Sequence, residues 1–226
     1  LGFDGQPASA EEAMLARDLL IAEDTGARLH VQHLSTQRGL YLIRAARKSG
    51  ARVTCEVTPH HVVLNQFALR SFDSNLKVDP PLRPESDRVA LVRGLRDGHV
   101  DAVASNHRPH EIDAKQMELA LSPFGAAGLE TAVRIVLTRL LHTDGIPLTR
   151  IVEALSTTPA AILGVEGGSI EVGSRADFTV LDLDREGTID VDAFRGRSTN
   201  TPFRDWETLG APVMTIVGGR VVEDGR

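Results

Sequence analysis

The sequence predicts an α/β fold: part of a parallel-stranded βα barrel, followed by a small β unit. Three observations carry that expectation. Three short apolar segments, 29–34, 53–57 and 100–105, read as strands, each preceding a helical segment and each running into histidine; that order is a βα repeat with parallel strands. From Gly164 onward the pattern changes to a strand and a hairpin. Three βα units cannot close an eight-stranded barrel, so the remaining strands belong either to an upstream portion or to another chain. Leu1 is not an initiator, which fits the first of these.

The elements follow in order. Ser9-Ala10-Glu11-Glu12 has capping-box form ahead of Ala13, Leu15, Leu19 and Leu20, a helix stopped by Gly26. After the strand 29–34, Ser35 and Thr36 are candidate caps for a helix through Leu40, Ile43, Ala46 and Arg47 to Gly50. The strand 53–57 ends in Thr58-Pro59-His60-His61, and an irregular stretch, 72–84, contains Asp79-Pro80-Pro81-Leu82-Arg83-Pro84. Loops of that length inside compact domains are usually functional or disordered. A helix over 85–97 leads to the strand around which the chain is organised. It ends in Ser105-Asn106-His107-Arg108-Pro109-His110, where Pro109 stiffens the exit. In α/β barrels the C-terminal ends of the strands carry the chemistry. Helical spacing recurs over 129–142, 148–155 and 159–163, punctuated by Pro147 and Pro159. A strand over 177–183 and a hairpin over 214–223, turning at Gly218-Gly219, complete the chain. The expected division is 1–164 for the partial barrel and 165–226 for the β unit.

Composition narrows the function. The 226 residues carry 42% hydrophobic and 25% charged side chains and a net charge of −6, a balance that argues against nucleic-acid binding. A single cysteine, Cys55, excludes an internal disulfide and fits a reducing compartment. No run of 18 apolar residues and no signal-peptide pattern occurs. The expectation is a cytoplasmic protein.

Among candidate site residues, His33 continues the strand row of Leu29 and Val31, which would aim it at the barrel centre as a metal ligand. It is equally a strand-end histidine with an ordinary hydrogen bond. His60 and His61, read as strand residues, point to opposite faces, and neither is expected to be a ligand. Arg83 is either a partner for a substrate carboxylate or a solvated loop charge. Asp113 and Lys115 read as a solvated helix start.

Taken together, Val-Gln-His-Leu-Ser-Thr (31–36), Cys-Glu-Val-Thr-Pro-His-His (55–61), Asp-Pro-Pro-Leu-Arg (79–83), Ser-Asn-His-Arg-Pro-His (105–110), Pro-Phe-Gly-Ala-Ala-Gly-Leu-Glu-Thr (123–131) and Thr-Asn-Thr-Pro-Phe (199–203) resemble the class I dihydroorotases of the amidohydrolase superfamily. The resemblance implies the later part of a metal-dependent (β/α)8 TIM barrel, with part of a small β-sandwich built from both chain ends. It implies interconversion of N-carbamoyl-L-aspartate and L-dihydroorotate with Zn2+, most of whose ligands lie upstream. It makes His33 the last histidine ligand, His110 a substrate contact, and Phe124 and Gly125 a loop touching the ring. Asp79 stands where the family has a substrate-binding Asn, and Asn106 where it has the Asp that ligates zinc and acts as general acid/base. Arg108 departs from the usual Asp-His-Ala-Pro-His. Such departures are similar to non-catalytic homologues that assemble with aspartate transcarbamoylase, although those have generally lost the histidine kept here as His33. The resemblance therefore implies a homo-oligomeric dihydroorotase-family enzyme impaired by Asn106. The alternatives are a non-catalytic partner of aspartate transcarbamoylase, or an allantoinase- or hydantoinase-like cyclic amidohydrolase.

Overall fold

The computed structural model describes residue 2 and residues 5–224; Leu1, which prompted the expectation of an upstream portion, lies outside the described residues. Helix α1 (Ala8–Thr25) buries Leu15, Leu19 and Ala22 and stops at Gly26 in the left-handed conformation. Its capping box does not form. Pro7 occupies the cap, Ser9 lies inside the helix, and no side chain closes the first turn; Glu11 reaches out to Ser35. Strand β1 (Leu29–Val31) is shorter than expected. Helix α2 (Gln37–Lys48) is capped as the sequence suggests, Thr36 accepting from the Gly39 N–H at 3.0 Å.

Strand β2 (Val53–Val57) is followed by the short helix α3 (Pro59–Val63), and helix α4 (Glu85–Arg96) leads to β3 (Ala102–Val103). The three strands form a parallel sheet in the order β1-β2-β3, with Val31 opposite Cys55 and Glu56 opposite Ala102. Asp101 N–H and Ala104 N–H extend the β3 pairing to Cys55 and Val57 carbonyls. Val53, Cys55 and Val57 are buried and alternate with half-buried Thr54 and Glu56. The apolar row therefore faces the helices, and the polar row faces the interior that a barrel would enclose. By the same register His30 lies beside Thr54 on the interior face. The expectation that Leu29 and Val31 mark the inward row is thus corrected.

The helix side is tied by charge as well as by packing. Arg47 donates to the Val53 and His99 carbonyls and pairs with Asp101, whose carboxylate accepts the Cys55 N–H at 2.7 Å. Burial pushes the Cys55 thiol up to about 12, so it stays protonated and inert. After α5 (Ile112–Lys115), helix α6 (Ala132–Val136) runs into a π-helical turn at Leu137–Thr143. Helices α7 (Leu148–Val152) and α8 (Thr158–Leu163) are likewise joined by a π-helical turn, Glu153–Thr157. Pro159 therefore does not break the segment, because the widened turn accommodates its ring and its missing N–H.

The expected β unit is an antiparallel sheet, β4 (Phe178–Thr188), β5 (Glu207–Val217) and β6 (Arg220–Asp224), in the order β4-β5-β6. Strand β5 packs on α6 and its following turn. The second layer of a sandwich is not among the described residues. No helix among them is long and apolar enough to cross a membrane.

Candidate functional site

Two residues at the ends of β1 and β3 have left-handed backbone, His33 with φ 54° and Asn106 with φ 46°. Non-glycine residues adopt this conformation rarely and at some cost, and they do so preferentially at functional sites. The left-handed turn frees each side chain from strand alternation, so the direction of His33 is set by its turn.

The His33 turn is held by a buried charge cluster. Glu11 of α1 accepts from the Ser35 N–H at 2.9 Å and from the Ser35 hydroxyl. Arg83 donates to the Ser35 hydroxyl at 2.9 Å, to the Gln6 carbonyl at 2.8 Å and to Glu11 at 3.2 Å. Arg83 is therefore neither a solvated loop charge nor a free substrate partner; it is buried and spoken for.

On the interior face, Glu56 lies between two imidazoles, 3.2 Å from His30 Nε2 and 3.4 Å from His33 Nε2. His30 Nδ1 is 2.8 Å from the Thr54 hydroxyl, so the ring bridges Thr54 and Glu56. Burial holds the His33 imidazole below its usual 6.5; Glu56 opposes this and Arg108 adds to it. His60 and His61 stand on α3 rather than on a strand, and both are buried. His61 accepts from the Thr58 hydroxyl and donates to the Pro80 carbonyl, each at 2.8 Å. Both His60 nitrogens are buried without a hydrogen-bond partner among the described residues, and its ring meets Phe203 edge-on at 5.7 Å. Burial pushes His60 down to about 3 and His61 to about 4.

The β3 loop brings the other candidates together. Asn106 donates from Nδ2 to the Asp79 backbone carbonyl at 3.2 Å, and Arg108 pairs with the Asp79 carboxylate at 3.3 Å. His110 donates from Nε2 to the Phe124 carbonyl at 2.9 Å. Its backbone N–H donates to Asn200 Oδ1 at 3.0 Å and to Ser198 Oγ at 3.3 Å. Asn200 also accepts the Ala127 N–H on its carbonyl and donates from Nδ2 to the Gly125 carbonyl. Gly125 has φ 130°, and a Cβ there would lie 2.6 Å from Arg108 Cβ. A Cβ on Gly128 would lie 2.3 Å from the Ser105 carbonyl oxygen. The loops are thus in backbone contact that only glycine permits. Lys77 stacks over the Phe124 ring at 4.7 Å. Lys115, expected to be solvated, is buried and donates to the Pro123 carbonyl at 2.9 Å.

The six residues to which the family resemblance gives roles, His33, Asp79, Asn106, His110, Phe124 and Gly125, lie on the loops at the C-terminal ends of β1 and β3 or on the segments bonded to them. The sequence reading gave no role to Glu56, His30 or Asn200. Glu56 and His30 carried one signal, polar residues at alternate positions of otherwise apolar strands. Asn200 carried none local to the site.

Among the described residues, no group of three or more His, Cys, Asp or Glu is arranged to hold a metal ion. His33 itself fits a ligand position: burial favours its neutral form, a carboxylate adjoins Nε2, and Nδ1 makes no hydrogen bond among the described residues. The described residues thus fit one ligand of a shared set.

Known proteins are similar to this chain over nearly its whole length. A model described as the amidohydrolase family matches residues 8–222. A dihydroorotase of Pelotomaculum thermopropionicum is 45% identical over 226 residues, covering 100% of this chain and 53% of that protein. One from Geobacillus sp. (strain WCH70) is 43% identical over 221 residues, covering 98% and 52%. An L-hydantoinase (dihydropyrimidinase) structure from Arthrobacter aurescens superposes with a TM-score of 0.93 at 32% identity, over 97% of this chain and 50% of that one. A D-hydantoinase (dihydropyrimidinase) structure from Thermus sp. gives 0.88 at 28% identity, over 97% and 50%. The chain spans about half the length of the relatives it matches.

Proposed function

We propose that this chain, which belongs to the amidohydrolase family, supplies part of the active site of a dihydroorotase-type cyclic amide hydrolase interconverting N-carbamoyl-L-aspartate and L-dihydroorotate. The observation that carries the reading is that Asn106 and Arg108 both bond Asp79, while His110 of the same loop bonds Phe124 and Gly125 abuts Arg108; His33 is near enough for Arg108 and Asp79 to act on its charge. Asp79, His110, Phe124 and Gly125 are the substrate contacts in this reading. The division into a barrel portion, 1–164, and a β unit, 165–226, belongs to it as well. So do a homo-oligomeric state and a reducing, cytoplasmic setting, which suits the protonated, buried Cys55.

Zinc is the metal we assign, with His33 as this chain's ligand. The chemistry a bound zinc ion supplies is Lewis-acid polarisation of the scissile amide carbonyl. His33 serves that position because its burial favours the neutral, ligating form of the ring. Asn106 occupies the acid/base position with an amide that cannot accept a proton. Its Nδ2 is committed to the Asp79 carbonyl, so the side chain holds the loop rather than moving a proton. General acid/base assistance is worth about 10²–10⁴-fold, and the parent protein is expected to be slower by that order.

The test is dihydroorotate hydrolysis by the complete zinc-loaded protein beside its Asn106→Asp variant, with metal content measured on both. The expected result is slow turnover by the parent and a gain of about 10²-fold or more in the variant. Absence of turnover in both, with zinc bound, would remove the reading. The same Asn106 amide favours a second reading, a non-catalytic subunit assembling with aspartate transcarbamoylase; co-purification with that enzyme and silence of both variants would support it. The likeness to hydantoinase structures favours a third, a hydantoinase-like or allantoinase-like specificity, which hydrolysis of an uncharged cyclic amide in preference to dihydroorotate would support.

A further inference from the structure

We infer that Asp79 and Arg108 form a specificity-determining pair, which keeps the mouth of the site neutral and lets Arg108 turn to the carboxylate of an anionic cyclic amide. The inference rests on the proposed function and deepens it by naming what selects the substrate's charge.

Three observations carry it. The two charges face each other across two separate loops, Arg108 Nη1 lying 3.3 Å from Asp79 Oδ2, and each side chain is nearly half exposed, 45% and 46%. That contact is the one side-chain hydrogen bond Arg108 makes among the described residues, so most of the five donors of its guanidinium remain open to a ligand. Both residues are also placed firmly. Asn106 donates to the Asp79 backbone carbonyl, the Arg108 N–H donates to the Ala126 carbonyl at 2.8 Å, and Gly125 abuts the Arg108 Cβ.

Charge arithmetic then excludes the other candidate. Asp79 alone would repel an anionic substrate, and the nearby Arg83 is buried and engaged by Glu11, Ser35 and Gln6. Arg108 is the cation in contact with Asp79. The two departures from the dihydroorotase pattern, a carboxylate for an amide and a guanidinium for a methyl group, are therefore opposite in sign and touch. Each compensates the other. A carboxylate entering the mouth meets a bidentate donor already held in place.

The experiment measures dissociation constants by calorimetry for dihydroorotate and for dihydrouracil, the same ring without a carboxylate. The complete protein is compared with Arg108→Ala, Arg108→Lys, Asp79→Asn and the double variant Asp79→Asn/Arg108→Ala. Arg108→Ala is expected to weaken dihydroorotate about tenfold, because it leaves Asp79 uncompensated, while shifting dihydrouracil less than about twofold. Arg108→Lys should recover part of the loss, and adding Asp79→Asn to Arg108→Ala should recover the share that Asp79 repulsion contributed but not the lost guanidinium contact, a coupling that independent sites would not show. Equal shifts for both ligands, or additive effects in the double variant, would overturn the inference while leaving the proposed function standing. If the parent neither binds nor hydrolyses dihydroorotate, the proposed function fails and the inference falls with it.

Discussion

The residues that set this site apart are small in number and tightly constrained. His33 and Asn106 leave their strands through left-handed backbone, and Gly125 lets the neighbouring loop pass within contact of Arg108. Gly125→Ala therefore meets two penalties, a φ of 130° and a Cβ 2.6 Å from Arg108 Cβ. It is expected to lower stability by about 2 kcal/mol or more, read from urea unfolding; a loss under about 0.5 kcal/mol, the size usual for a surface change, would contradict the close approach. At Arg83 the cost is electrostatic. Arg83→Met leaves Glu11 in a largely buried pocket without its cation, and about 3–5 kcal/mol should be lost. Adding Glu11→Leu should recover a large part, and a thermal melt of the three variants decides it.

Elements were legible where local chemistry alone decides. The Thr36 cap, the strand over 53–57 and the Gly218-Gly219 hairpin turn all formed where the pattern put them. Misreadings arose where a neighbour decides. In a parallel sheet covered by helices, the apolar row of a strand points at the helices, so Leu29 and Val31 are no guide to the direction of a catalytic group. Thr58-Pro59 starts a helix, with proline at its first turn, and so His60 and His61 both turn inward. The capping box failed because α1 starts one residue early, at Ala8 behind Pro7, which puts Ser9 inside the first turn; Glu11 meanwhile bonds Ser35 and Arg83, partners that no window of α1 contains.

The α3 pair has a pH signature. Both rings titrate below 6.5 in the folded chain, at about 3 and about 4, so below pH 6.5 the unfolded chain binds more protons than the folded one. Stability contributed by these rings is full above pH 6.5 and falls as pH drops toward 4, by up to about 1.4 kcal/mol per pH unit for each ring. Urea midpoints at pH 7.5, 6 and 5 should decline in that order. Equal midpoints at pH 7.5 and 5 would mean that the two histidines are not held neutral.

At the scale of the whole molecule, the βα units are those of a (β/α)8 barrel, and the order of the motifs was enough to read that class. How the sheet ends was not legible. Among the described residues the outer edges of β1 and β3 have no strand partner, and Thr54, Glu56 and His30 face an interior that these three strands do not enclose. Open parallel edges seek pairing. The 226-residue polypeptide made alone is therefore expected to self-associate in light scattering; a monomer with reversible, cooperative unfolding would contradict this.

The bonds from Asn200 to the backbone of His110 and Gly125 also set a clock. His110 leaves the ribosome 90 residues before the side chain that anchors it, a delay of about 5–20 s at ordinary rates of synthesis. Through that interval the β3 loop and the Phe124 loop have their own mutual bonds but not the Asn200 brace across them, although β1, β2 and β3 can already pair. The three-stranded sheet can thus form before Asn200 ties the two loops of the site together.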